Sequence, residues 1–197
     1  MRTRRVGRAI AYAVALVAVA AMVLPSPSRA ATAQAIDTSV DKILKAFKEN
    51  HQGADAALQQ AKGVLVFPEI VKAGFIVGGS YGEGALRMGG SNMGGGASAG
   101  YYSIGSGSVG FTFGAQSQGV IILFMKQAAL DQFRNDTTTD KSFQVGVSGD
   151  ITAVDVGAGG AVANSALNKD IVSFVMDQKG LMVNLSLQGS KITKLQR

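Results

Sequence analysis

Lys42, Lys45 and Lys48 recur at every third position beside Ile43, Leu44 and Phe47, and Lys62 and Lys72 follow within a short stretch of chain. Ammonium groups flanking an apolar stripe let a helix lie on an anionic membrane, and each lysine near such a surface contributes about 1 kcal/mol. The same pattern also arises when the apolar stripe packs on a core and the lysines are simply solvated. On spacing alone the core-facing arrangement is preferred.

The other chemistry-bearing residues support less. His51 is the sole histidine and there is no cysteine, so multi-histidine metal centres, thiolate nucleophiles and disulfides are excluded. His51 is expected as a solvated residue at a helix C-terminus, where a cation is favoured. Glu83, Asp150 and Asp155 could pair for acid–base work, but their spacing matches no calcium loop. Gly105 to Gly110 spells G-x-G-x-x-G. A dinucleotide site needs a helix opening there, whereas Phe111-Thr112-Phe113 continues a strand pattern. No Walker motif occurs. The chain is therefore expected not to be an enzyme, with no catalytic residues, no metal and no cofactor.

The elements that would position the lysines can be read from periodicity. Val40, Ile43, Leu44 and Phe47 follow i, i+3, i+4, i+7, predicting a helix from Ser39 to about Asn50, with Asp37, Thr38 or Ser39 as its cap. Thr32 to Asp37 is expected as a flexible lead-in. A second helix is predicted over Ala54–Lys62. Val64–Phe67 is a short strand closed by Pro68, and Phe75–Val77 begins another. Residues 74–119 hold 16 glycines in 46 positions, yet Val109, Phe111, Phe113 and Ala115 alternate with smaller or polar residues, so strand is expected there and disorder only over Gly89–Ala99. Val120–Met125 reads as a buried strand and Gln127–Phe133 as a short helix with Leu130 and Phe133 facing inward. Asn135–Lys141 reads as a polar loop. Phe143, Val145 and Val147 read as one face of a strand. Ile171–Met176 and Leu181–Leu187 flank Asp177-Gln178-Lys179-Gly180, a hairpin signal. The fold class is α+β: N-terminal helices packed on a Gly-rich, mainly antiparallel β-sheet or partly closed barrel.

The first thirty residues read as an export leader. Arg2, Arg4, Arg5 and Arg8 precede an uncharged run from Ala9 to Leu24, and Pro25 and Pro27 end it. Small residues then offer cleavage after Ala30, Ala33 or Ala35, by a general or a twin-arginine route. The remainder, 31–197, is expected to be a single domain in the periplasm or cell envelope, or secreted. The whole chain carries 19 basic and 13 acidic residues, but five arginines and no acid precede Ala31, which leaves a net charge of +1. No nucleic-acid partner is expected at that charge.

Ala61-Lys62-Gly63-Val64-Leu65-Val66-Phe67-Pro68, followed by Lys72-Ala73-Gly74-Phe75-Ile76-Val77-Gly78-Gly79, resembles the opening of the SYLF domain, a lipid-binding family that includes a yeast actin-patch protein. Ser108–Gln116, Ile121–Met125 and Lys179–Ser190 are similar to the family's later strands and C-terminal hairpin. The resemblance spans about Val40 to Lys194. Ser91-Asn92-Met93 stands where the family usually carries Trp-Ser, and Val154-Asp155-Val156-Gly157 replaces a usual Gly-Pro turn. The resemblance implies binding of phosphoinositide or other anionic phospholipid headgroups at a membrane surface, through Lys42, Lys45, Phe47, Lys48, Lys62 and Lys72. It brings lipid contact level with core packing for the lysine helix. Actin is not an expected partner of an exported chain. The second expectation is an envelope structural or interaction protein that self-associates into a homo-oligomer through Gly-rich strands.

Overall fold

In the computed structural model, the residues described are 31–74, 77–89, 98–109, 114–138, 141–154, 162, 166–177, 180–181 and 187–197. The expected export leader, most of the Gly89–Ala99 loop and the centre of the 109–116 alternation lie outside them. Residues 31–197 form one compact unit.

Helix α1 spans Ala33–Asn50 and begins earlier than its sequence suggests. Thr32 Oγ1 caps it by accepting from the Ala35 N–H at 3.2 Å. The expected caps lie inside the helix. Thr38 and Ser39 donate their hydroxyls back to the carbonyls of Gln34 and Ala35 at 2.9 Å, an alternative partner for a mid-helix hydroxyl. The extension has a packing reason, because Ile36 continues the buried stripe of Val40, Leu44 and Phe47. Gly53, at φ +83°, turns the chain into helix α2, Ala54–Gln60.

The strands are β1 (Gly63–Gly74), β2 (Val77–Met88), β3 (Gly100–Val109), β4 (Gly114–Phe124), β5 (Ser142–Gln144), β6 (Thr152–Ala153), β7 (Ile171–Asp177), β8 (Gly180–Leu181) and β9 (Lys191–Leu195). Helix α3, Gln127–Asp136, follows β4. They form one curled half-barrel sheet ordered β5-β9-β3-β2-β1-β4-β7-β6, with β8 pairing β7. Every described strand pair is antiparallel except β6 with β7. The α+β class and the partly closed sheet are as expected.

Both faces of the central strands are covered, which is why Val64–Phe67 and Val120–Phe124 are apolar without alternation. On one face Val64, Val66, Ile121, Leu123 and Phe174 pack with the buried stripes of α1 and α2. On the other, Leu65, Phe67, Val120, Ile122 and Phe124 pack with Leu130 and Phe133 of α3 and with Phe143 and Ile192. The Phe133 ring lies 4.9 Å from Phe124, 5.1 Å from Tyr102 and 5.4 Å from Phe143.

Two further expectations change. The strand containing Val64–Phe67 does not stop at Pro68. It continues to Gly74 through a bulge that places one extra residue in β1 against both β2 and β4. Val147 does not share a face with Phe143 and Val145. Gly146, at φ +86°, turns the chain there, and Val147 is 76% exposed.

Candidate functional site

The lysines do not form a single patch. Successive positions three apart on a helix drift by 60°, so Lys42, Lys45 and Lys48 spread over about 120° of the α1 surface. Lys45 pairs with Glu49 at 3.8 Å and Lys48 with Asp55 at 3.2 Å. Lys42 is exposed at the rim of a shallow groove lined by Ile43, Pro68, Glu69, Ser117 and Met176. Phe47 corrects an expectation outright. It is fully buried, with ring centroids 5.0 Å from Phe174 and 5.5 Å from His51. Its ring belongs to the core between α1 and the sheet and meets no membrane in this fold. His51 is likewise not solvated in the expected way, because both ring nitrogens are buried with no hydrogen-bond partner.

Lys62 is exposed just before β1, and Lys72 lies near that strand's far end. At about 3.3 Å per residue they are some 30 Å apart. Lys72 is the lysine that the fold surrounds. Before the bulge, Leu65 and Phe67 face the α3 side of the sheet. After it, Ile70 faces that side and Lys72 follows. Without the extra residue the alternation would turn Lys72 to the opposite face.

Close backbone approach makes the bulge possible. A Cβ at Gly82 would sit 2.6 Å from the Glu69 carbonyl oxygen, and one at Gly84 would run into that of Val66. Glycine at these two positions lets β2 follow the displaced strand.

Lys72 is half-buried in a cavity of about 140 Å³. Ser80 lies directly opposite it on β2, and Ser106 lies opposite Ser80 on β3. The two hydroxyls are 2.7 Å apart. Gln118 of β4, opposite Ile70, adds an amide beside this row, and Leu187, Gln188 and Ser190 form another wall. Ile70 and Ile104 contribute apolar surface. Among the described residues no carboxylate pairs with Lys72. One ammonium, several hydroxyl donors and an amide around a small space can hold a compact anion.

Sequence reasoning missed two further polar clusters. Arg87 of β2 is 4% exposed and reaches Asp41 at 3.1 Å and Asp37 at 3.2 Å. Asp37 also accepts from Ser98 at 2.5 Å and from the Tyr101 hydroxyl at 2.8 Å. The available signal was a lone arginine in a Gly-rich strand, with aspartates at i and i+4 on the helix. This cluster ties α1 to β2 and β3. Burial, then the hydrogen bond to Asp37, raises the Tyr101 pKa above its ordinary value of 10.0. The second cluster centres on Glu83, whose carboxylate receives Arg197 at 2.8 Å and the Tyr81 hydroxyl at 2.8 Å.

Among the described residues no group of three His, Asp or Glu could hold a metal ion, and no helix is long and apolar enough to cross a membrane. Residues 105–197 match the family model of Ysc84, described as Las17-binding protein actin regulator. This part of the chain is thus similar to the Ysc84 (SYLF) domain, in line with the resemblance read from the sequence. No curated protein matches the chain. The SYLF match begins inside β3, so it takes in Ser106, Gln118, Leu187, Gln188 and Ser190 of the cavity. Lys72 and Ser80 are supplied by the strands that precede it. The SYLF family is linked to lipid binding and, by its description, to actin regulation.

Proposed function

We propose that this protein is a non-enzymatic binder of anionic phospholipid headgroups in the cell envelope, with Lys72 as the principal anion contact. The observation that carries the reading is the Lys72 cavity. It combines a half-buried lysine that pairs with no carboxylate among the described residues, the hydroxyls of Ser80, Ser106 and Ser190, and apolar Ile70, Ile104 and Leu187. A phosphate group suits the donors, and the apolar residues suit the start of a lipid's glycerol and acyl region. Lys42, exposed on the opposite side of the sheet, and the paired Lys45 and Lys48 become secondary contacts.

Flotation of the processed protein with vesicles tests this. Recovery is expected with anionic vesicles and not with zwitterionic ones. Lys72→Ala should reduce binding about fivefold, which corresponds to roughly 1 kcal/mol. Lys45→Glu with Lys48→Glu should do less. Equal recovery of wild type and Lys72→Ala would refute the site. Inhibition by glycerophosphate as strong as by the intact lipid would indicate a soluble phosphate ligand instead. Actin regulation, named in the family description, is not part of this reading, because the leader directs the chain out of the cytoplasm. No cosedimentation with actin filaments is expected.

A second reading is self-association. It draws on Val71 and Tyr81, directly opposite each other on β1 and β2 and 44% and 55% exposed. Concentration-dependent light scattering that Tyr81→Ser abolishes would favour it over a monomeric lipid binder.

A further inference from the structure

The Glu83 cluster contains a third donor that the folded domain alone does not explain. The backbone N–H of Ala31 lies 3.2 Å from Glu83 Oε2, the same oxygen that Arg197 reaches at 2.8 Å. Tyr81 holds the other oxygen. Glu83 also stands directly across from Glu69 in the β1–β2 pairing. Like charges placed opposite one another are destabilising. Glu69 has a neutral partner, the Ser117 hydroxyl at 2.8 Å, so the compensating positive charge falls at Glu83.

We propose that the leader is cut between Ala30 and Ala31, and that the α-ammonium so created docks on Glu83 beside Arg197. The inference rests on residues 1–30 being an export leader. It is independent of the lipid reading. The cut is a hydrolysis by a membrane-bound signal peptidase. The Ala30–Ala31 amide bond breaks, water supplies hydroxyl to the Ala30 carbonyl carbon and hydrogen to the Ala31 nitrogen, and the amine takes up a proton. One neutral amide donor becomes a charged group with three donors, held where a carboxylate already waits.

The structure also discriminates against the other cleavage positions. Cutting after Ala33 removes Thr32, whose side chain caps α1. Cutting after Ala35 removes the cap and the first residues of the helix, leaving Ile36 of the buried stripe at the very end. Only the cut after Ala30 keeps the cap and delivers an ammonium to Glu83. The charged groups around the docked terminus are Glu83, Arg197 and, across the strand pair, Glu69. The Tyr81 hydroxyl faces it as the neutral titratable group.

The test is to express the full chain in an exporting bacterial host and determine the N-terminus of the recovered protein by mass spectrometry. Ala31 is expected. A start at Gln34 or Ile36 would overturn this inference while leaving the leader reading intact, and an unprocessed chain would overturn both. Acylation of the Ala31 amine by an amine-reactive reagent then reads the docking. It should run roughly two- to fivefold slower in wild type than in Glu83→Gln, the range of a partly exposed ion pair. Should Glu83→Gln fold poorly, a processed chain with one extra alanine ahead of Ala31 keeps Glu83 and moves the amine away. Equal acylation rates in wild type and that variant would rule the docking out.

Discussion

Arg87 is a buried guanidinium answered by two carboxylates on a helix more than 40 residues earlier in the chain, and its Nε finds no partner. Breaking such a group is expected to matter more than its distances suggest, because the remaining partners stay desolvated. Asp37→Asn should destabilise by about 1–3 kcal/mol, measured as a lower urea midpoint. Both carboxylates are reached by one nitrogen, Nη2, so Arg87→Lys should keep part of the stability that Arg87→Ala loses. Tyr102 offers a pH readout. It is 2% exposed, and burial raises its pKa above the ordinary 10.0, partly offset by the Thr137 hydrogen bond and by Arg134. A phenol whose folded pKa is raised contributes stability that is complete below the unfolded value. That contribution fades as pH climbs from the unfolded value through the folded one. Stability should therefore decline above about pH 10, and Tyr102→Phe should decline less steeply in urea titrations across that range.

At the scale of elements, α1 serves as a structural helix whose stripe of Ile36, Val40, Leu44 and Phe47 is buried in the core beside the sheet. Phe47→Ala should lower stability by about 3–5 kcal/mol, whereas vesicle recovery per folded molecule should be unchanged. Loss of vesicle binding at unchanged stability would return Phe47 to the membrane. Periodicity made the existence of α1, α2, α3, β4 and β7 legible, and it identified Leu130 and Phe133 as inward-facing. It could not reveal where α1 begins, because Thr38 and Ser39 are good caps by type and become interior residues only when Ile36 finds a core to join. Nor could it carry β1 past Pro68. A proline ordinarily ends a strand, and here the extra residue beside it absorbs the missing donor. The candidate site was legible only in part. Lys72 was named among six residues, but the spacing of lysines carries no information about which strand neighbours will enclose one of them. Ser80, Ser106 and Gln118 join it through pairing between strands that the sequence keeps apart.

For the whole molecule, the two apolar clusters are not separate bodies. Leu65 and Val66, or Ile121 and Ile122, are consecutive residues of one strand that face different clusters. Neither cluster can come apart without exposing the strands that hold the other. Residues 31–197 should unfold in one cooperative step, with far-ultraviolet and tyrosine signals coinciding along a urea titration. Separate transitions for the two would show that the N-terminal helices detach on their own. The small net charge that remains once the proposed leader is discounted also bears on this scale. Long-range attraction to an anionic surface is weak for such a molecule, so the proposed lipid affinity would have to come from local contacts.

The extra residue at the Pro68 bulge has an electrostatic meaning. In an uninterrupted β1, the cavity side of the sheet would receive Glu69 and Val71 in place of Ile70 and Lys72. The compartment beside Ser80 and Ser106 would then hold a carboxylate and repel the phosphates it is now suited to attract. Straightening the bulge with every residue of β1 retained would thus be a charge reversal achieved with no change in any ionisable residue. The sign of the cavity is set by counting along the chain, and composition alone cannot report it.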